Sequence, residues 1–89
     1  MQWSWDADTS AGFRRRLGRT AQELGLSSSS SSCPDIWELE NGDFAIVGRD
    51  ATAAYSGRLP CGVSVAAGER LVVLPRAMLL AAKPDIPDA

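Results

Sequence analysis

The sequence predicts a small α+β domain, in which a β-hairpin and a third strand combine with two short helices, preceded by an N-terminal helical arm. Three observations lead to this fold class. Two apolar alternations flank the pair Asn41-Gly42, as is typical of a hairpin turn. An apolar run at residues 71–74 precedes a segment that opens with Pro75 and has helical character. A serine run at residues 27–32 separates these elements from an amphipathic stretch near the start.

The amphipathic stretch, residues 10–26, is predicted to be a helix. Its apolar residues recur at spacings of four, four and three, which places them on one helix face; they are Phe13, Leu17, Ala21 and Leu24. Gly25 sits where a left-handed residue would end the helix. We therefore divide the chain into an N-terminal helical arm (1–26), a flexible serine linker (27–32) and a small α+β domain (33–89).

The hairpin follows the serine linker. A two-residue turn at Asn41-Gly42 would place four large apolar side chains on one face of the sheet, where they are expected to build the core; they are Trp37, Leu39, Phe44 and Ile46. The same turn sets Glu40 opposite Asp43, and like charges in that position are unfavourable. A four-residue loop is therefore the alternative.

The remaining elements are shorter. Asp50 is predicted to cap a short helix that ends near residue 59, and residues 60–69 are predicted to form a loop. Residues 70–74 are typical of a strand that is buried on both faces. A second helix is expected over residues 75–83, and an extended, mobile tail should follow it.

Composition excludes several classes of function. The chain has 89 residues, with nine Lys and Arg against eleven Asp and Glu, so its net charge of −2 favours neither nucleic acid nor an anionic membrane. No apolar run is long enough to span a membrane, and the start lacks a signal-peptide pattern, so we expect a cytoplasmic protein. In that compartment Cys33 and Cys61 are expected to be free thiols rather than a disulfide.

The sequence contains no recognisable catalytic, metal or cofactor site. Histidine is absent, so a catalytic triad or a transition-metal site lacks its usual groups. The glycine spacings match no phosphate-binding loop. The carboxylates of the hairpin are expected to form a solvated acidic face. We predict no cofactor and no enzymatic activity, and a small enzyme subunit is the weakest of the functional alternatives.

One basic cluster lies in the predicted arm, within FRRRLGRT. A solvated arginine face is the common role of such a cluster, and docking onto an acidic protein surface is the second interpretation. The predicted partner-binding residues follow from the second interpretation; they are Arg14, Arg15, Arg16, Arg19 and Trp37.

Direct DNA binding by the same arginines is the alternative function. Residues 20–27 have a residue pattern similar to the first helix and turn of a helix-turn-helix unit, but serines follow where the recognition helix should begin. We therefore do not expect a nucleic-acid partner. A salt-dependent mobility shift on nonspecific DNA would separate this alternative from protein docking.

The layout from Cys33 through the hairpin, the ERLVVLP segment and a closing helix resembles a family of small actinobacterial proteins of unknown function, of the BldB-like regulatory type. The pairs Arg49-Asp50 and Val72-Val73 match that layout, and the resemblance covers residues 33–83. Two departures are a closing helix without an aromatic residue and a long insert over residues 52–68.

What the resemblance implies is an oligomerising regulatory accessory without catalysis, which often acts beside a helix-turn-helix regulator. The shortage of core in so small a domain also favours a homodimer. The function predicted from the sequence is thus a non-catalytic protein-interaction or regulatory accessory protein whose partner is another protein.

Overall fold

The computed structural model describes residues 5–28 and 33–88. Most of the serine linker and the first tryptophan, Trp3, lie outside these ranges. The elements in chain order are strands β1 (Phe13–Arg16), β2 (Asp35–Leu39), β3 (Phe44–Val47) and β4 (Arg49–Asp50), helix α1 (Thr52–Tyr55), strand β5 (Val72–Val73), helix α2 (Arg76–Ala82) and a 3₁₀ helix (Lys83–Asp85).

The strands form two antiparallel sheets. One has the order β1-β2-β3, and the other pairs β4 with β5. With its few short helices, the chain has the small α+β fold that the sequence predicts. Because β1 precedes the serine run and pairs with β2 beyond it, the two sides of that run share one sheet.

The predicted N-terminal helix is wrong, because residues 13–16 form an edge strand. Leu17 donates its N–H to the Ile36 carbonyl at 2.9 Å, and Glu40 donates to the Gly12 carbonyl at 2.9 Å. These two bonds extend the pairing with β2 beyond both ends of β1. Pairing with a distant strand has overridden the helical spacing of the apolar residues.

Gly18 ends β1 in a conformation that closes the strand onto α2. Its φ is +70°, and a Cβ atom built there would lie 2.7 Å from the backbone carbon of Ala81. Its N–H donates to Oδ2 of Asp85 at 2.7 Å. A residue with a side chain would therefore be strained at Gly18 and would collide with α2.

Only one short turn of the predicted helix is realised, at residues 20–25. Thr20 and Glu23 bond reciprocally: the Glu23 N–H donates to the Thr20 hydroxyl at 3.1 Å, and the Thr20 N–H donates to the Glu23 carboxylate at 2.9 Å. This is the capping box that starts a helical turn. Gly25, at φ +74°, ends it as predicted.

The hairpin is present, but its register differs from both predicted forms. Trp37 pairs with Ala45 and Glu38 with Phe44, so the loop has three residues and ends at Gly42 with φ +90°. A shift of one residue moves Phe44 and Ile46 to the opposite face from Trp37. The predicted four-residue core face is therefore wrong.

The core lies on the other side of the sheet. It is built from buried residues of three elements, with two partly buried leucines packed against them. The buried residues are Leu17 and Ala21 after β1, Ile36 of β2, and Met78 and Ala82 of α2, and the leucines are Leu24 and Leu74. Three of the four residues on the predicted N-terminal helix face therefore do reach the core, although they reach it from a strand end and a turn. Phe13 is the exception, because its ring contacts Trp37 on the outer face.

The second half of the domain follows the prediction in part. α2 begins after Pro75 and residues 60–69 form a loop, as expected. The strand predicted at residues 70–74 is present only as β5 (Val72–Val73), and it is partly exposed rather than buried on both faces. The tail was expected to be extended, but Lys83–Asp85 is a 3₁₀ helix that contacts Gly18.

Two smaller expectations concern the membrane and the thiols. None of the helices in the described ranges is long and apolar enough to cross a membrane. Cys33 and Cys61 are exposed thiols with no disulfide, as the sequence predicts.

Candidate protein-interaction surfaces

Arg15 is anchored within the chain by two contacts of its guanidinium. Its Nε lies 3.0 Å from Oε1 of Glu38, whose residue exposure is only 5%. Its guanidinium also donates to the backbone carbonyl of Asp85. Arg15 therefore pairs with a buried carboxylate, whose charge would be costly to leave unpaired. The same side chain also links β1 to the 3₁₀ helix.

Arg16 is engaged on the opposite face of the sheet. Its guanidinium makes a two-point contact with Asp35, at 2.9 Å and 3.0 Å. The same group lies 4.7 Å from the centroid of the Trp37 ring, and Phe13 meets that ring edge-on at 5.6 Å. This cluster combines a bidentate ion pair with cation–π and aromatic contacts.

The ion pair changes the proton affinity of both partners. Partial burial works against ionisation of Asp35, but hydrogen bonds from Arg16 and Trp37 and the charge of Arg16 outweigh it, so the pKa of this carboxyl lies below its ordinary value. The hydrogen bond to Asp35 raises the pKa of the Arg16 guanidinium. The two groups thus hold each other in their charged forms.

The four arginines do not form one basic surface. Arg19 lies 4.0 Å from Glu23 in an exposed pair. Arg14 is exposed, and it forms no ion pair with any residue in the ranges 5–28 and 33–88. The solvated acidic face predicted for the hairpin is wrong for Glu38, which is buried, and for Asp35, which bonds to Arg16. Glu40 and Asp50 are exposed, as that prediction requires.

A different surface lies on α2. Met78 and Ala82 face the core, which leaves Leu79 and Leu80 exposed at 55% and 57%. With Leu74 and Ile86 they line an open apolar groove that is flanked by two cations, Arg76 and Lys83. Within the part of the chain that the structure describes, neither cation forms an ion pair. We call these six residues the α2 groove.

A third feature is the free edge of β3. Phe44 and Ile46 are 43% and 46% exposed, and Val47 on the other face is 52% exposed. The strand FAIV contains no charge and no proline. The apolar residues of α2 and of the hairpin edge are evident in the sequence. Ile86 is not, because the sequence predicts an extended, mobile tail there, whereas the structure places Ile86 in the α2 groove.

Metal binding has no candidate here. Within residues 5–28 and 33–88, no group of three or more Cys, Asp or Glu side chains could hold a metal ion together.

Comparison with known proteins adds no relative. No family model, curated protein or solved structure matches the chain. The resemblance to BldB-like proteins accordingly stays a prediction.

Proposed function

We propose that this chain is a non-catalytic, cytoplasmic protein-interaction accessory that binds an acidic amphipathic segment of a protein partner in the α2 groove. The observation that carries the proposal is the composition of that groove. Exposed leucines lie between two cations that have no internal partner among the described residues. Contiguous exposed apolar surface of this kind usually marks an interaction site.

The chemistry of the groove selects the partner. Leu79 and Leu80 would accept apolar side chains, while Arg76 and Lys83 would meet carboxylates at the margins of the groove. Complementary charge at the rim raises the association rate and sets orientation, whereas apolar contacts at the centre supply most of the affinity. The family resemblance suggests a helix-turn-helix regulator as the protein that carries the acidic segment.

The arginine cluster supports this proposal less well than the groove does. Arg15, Arg16 and Arg19 each have a carboxylate partner inside the chain. A phosphate or carboxylate of a partner would have to compete with those internal carboxylates for the same guanidinium groups. The DNA-binding alternative therefore gains no support from their placement.

The test uses two synthetic amphipathic peptides that share one apolar face, one with glutamates and one with lysines on the polar face. Fluorescence anisotropy should detect binding of the acidic peptide only, and added salt should weaken it. Arg76→Glu combined with Lys83→Glu should abolish binding. The matched control, Arg14→Glu with Arg70→Glu, changes the net charge equally at sites outside the groove and should retain binding. Equal binding of both peptides, or loss in the control alone, would reject the α2 groove.

A further inference from the structure

We propose that two copies of this chain associate through their β3 strands, which pair antiparallel and join the two β1-β2-β3 sheets into one continuous sheet. The proposal deepens the interaction role by naming a second copy as the partner of this edge. It uses residues separate from the α2 groove, so one proposal can fail while the other holds.

The backbone groups of β3 alternate between bonding to β2 and facing away from it. Leu39 donates to the Asp43 carbonyl at 2.8 Å, which fixes Asp43, Ala45 and Val47 as the residues whose backbone groups bond to β2. Because antiparallel bonding alternates, the N–H and C=O groups of Phe44 and Ile46 point away from β2. No hydrogen bond joins those groups to any other described residue. They form a row of donors and acceptors at an open edge, the feature that recruits an added strand.

The β3 edge is complementary to the same edge of a second copy. A two-fold axis at Ala45 brings Phe44 of one copy opposite Ile46 of the other, and the reverse contact is made at the same time. Both are then hydrogen-bonded pairs that use the outward backbone groups. Aromatic and β-branched side chains stabilise one another when they are directly opposite across strands. The small side chain of Ala45 meets its own copy on the other face without crowding.

The charges at the two ends of β3 favour the same antiparallel pairing. Asp43 lies just before β3, and Arg49 lies two residues after it. Antiparallel pairing therefore brings an acidic end of one strand toward a basic end of the other, at both ends of the interface. Arg49 has no ion pair with any residue in the described ranges. Opposite charges favour this register over one that brings like charges together.

β3 also lacks the features that keep an edge strand from pairing with another chain. Edge strands that stay unpaired usually carry a charge, a proline or a bulge, which discourages pairing with another chain. β3 has none of these, and its apolar side chains are exposed on both faces. In a closed two-fold dimer each copy contributes the same surface, so β3 of one copy would cover β3 of the other.

The experiment measures the mass of the full chain by sedimentation equilibrium over concentrations from about 1 μM to about 500 μM, a range that captures modest dimer affinities. Wild type should change from monomer to dimer. Phe44→Lys with Ile46→Lys places like charges opposite each other and should raise the dissociation constant by at least about tenfold. Val63→Lys, at a loop residue of similar exposure, should leave it unchanged.

A second variant tests the interface independently, in case the double lysine variant misfolds. Ile46→Pro removes one outward N–H but none of the bonds to β2, so it should keep the circular dichroism spectrum and also weaken the dimer. A wild type that stays monomeric throughout would overturn the proposal. So would a dimer that both β3 variants retain, or one that is lost with Leu80→Asp in the α2 groove but not with Ile46→Pro.

Discussion

The two edges of the three-stranded sheet differ in how they meet solvent. β1, at one edge, reads FRRR and has a bulge between Phe13 and Arg15. β3, at the other edge, reads FAIV, and its pairing with β2 is regular. Charges and bulges are the devices that keep an edge strand from pairing with another chain. One edge is therefore protected and the other is open, within a single sheet.

Two of the three arginines that protect β1 also hold the sheet together. Arg15 contacts buried Glu38 on the core side, and Arg16 contacts Asp35 and Trp37 on the outer side. Arg14 points to solvent and has no ion pair with the rest of the described chain. Three consecutive arginines thus have three different environments. A run of like charges is not by itself a binding surface.

The largest expected effect is at the end of the protected edge. Gly18→Ala should lower the free energy of unfolding by about 3 kcal/mol, because it combines a left-handed backbone with a collision against α2. Gly62→Ala is the matched control, since Gly62 also has a positive φ, +86°, but faces open space. It should cost about 1 kcal/mol. Urea denaturation measures both, and equal losses would show that β1 is not closed onto α2.

The next effect separates the neighbouring arginines of β1. Arg15→Ala should cost about 2 kcal/mol, because it leaves the buried Glu38 carboxylate without its partner. Arg14→Ala should change stability by less than about 0.5 kcal/mol, since that side chain is exposed and unpaired in the described chain. Thermal or urea unfolding of the two variants checks the contrast. Similar values would mean that the anchoring of β1 does not depend on Glu38.

The smallest effect comes from the outer face of the sheet. Asp35→Asn should cost about 1 kcal/mol at neutral pH, because it removes a partly exposed bidentate pair with Arg16. The folded-state pKa of Asp35 lies below its ordinary value of 3.8, so its contribution is complete above that pH and is lost as pH falls through the folded-state pKa. The stability difference between wild type and Asp35→Asn should therefore shrink below about pH 4.

The control for this pH series is Asp88→Asn. Asp88 is exposed and forms no ion pair with the described residues, so its substitution should leave stability nearly unchanged at every pH. If the Asp35→Asn difference stayed constant as the pH fell, the Arg16–Asp35 pair would not be the source of the stability. Denaturation at several pH values measures both series.

The open edge was more predictable from sequence than the protected one. Alternating residues around Asn41-Gly42 predict a hairpin, and Pro75 marks the start of α2; both predictions are confirmed. The hairpin register was missed because a three-residue loop relieves the like-charge pairing of Glu40 and Asp43 and shifts every partner by one. That shift moved Phe44 and Ile46 to the face opposite Trp37, and because β3 is an edge strand they are partly exposed there.

The protected edge could not be predicted from local pattern. Leu17, Ala21 and Leu24 have helical spacing and do reach the core, yet β1 forms because its backbone pairs with β2 across the serine run. No local signal links Gly18 to Asp85, which accepts its N–H. Contacts between residues so far apart in sequence follow from tertiary packing, which overrides weak helix propensity.

The contrast between the edges is tested most directly by isotope-filtered NMR on an equal mixture of labelled and unlabelled chains. Only contacts between two copies appear in such a spectrum. We expect signals between the Phe44 ring of one copy and the Ile46 methyl groups of the other, and none that involve Phe13 or Arg14 of β1. Signals from β1, or intermolecular signals confined to Leu79 and Leu80, would contradict the assignment of β3 as the open edge.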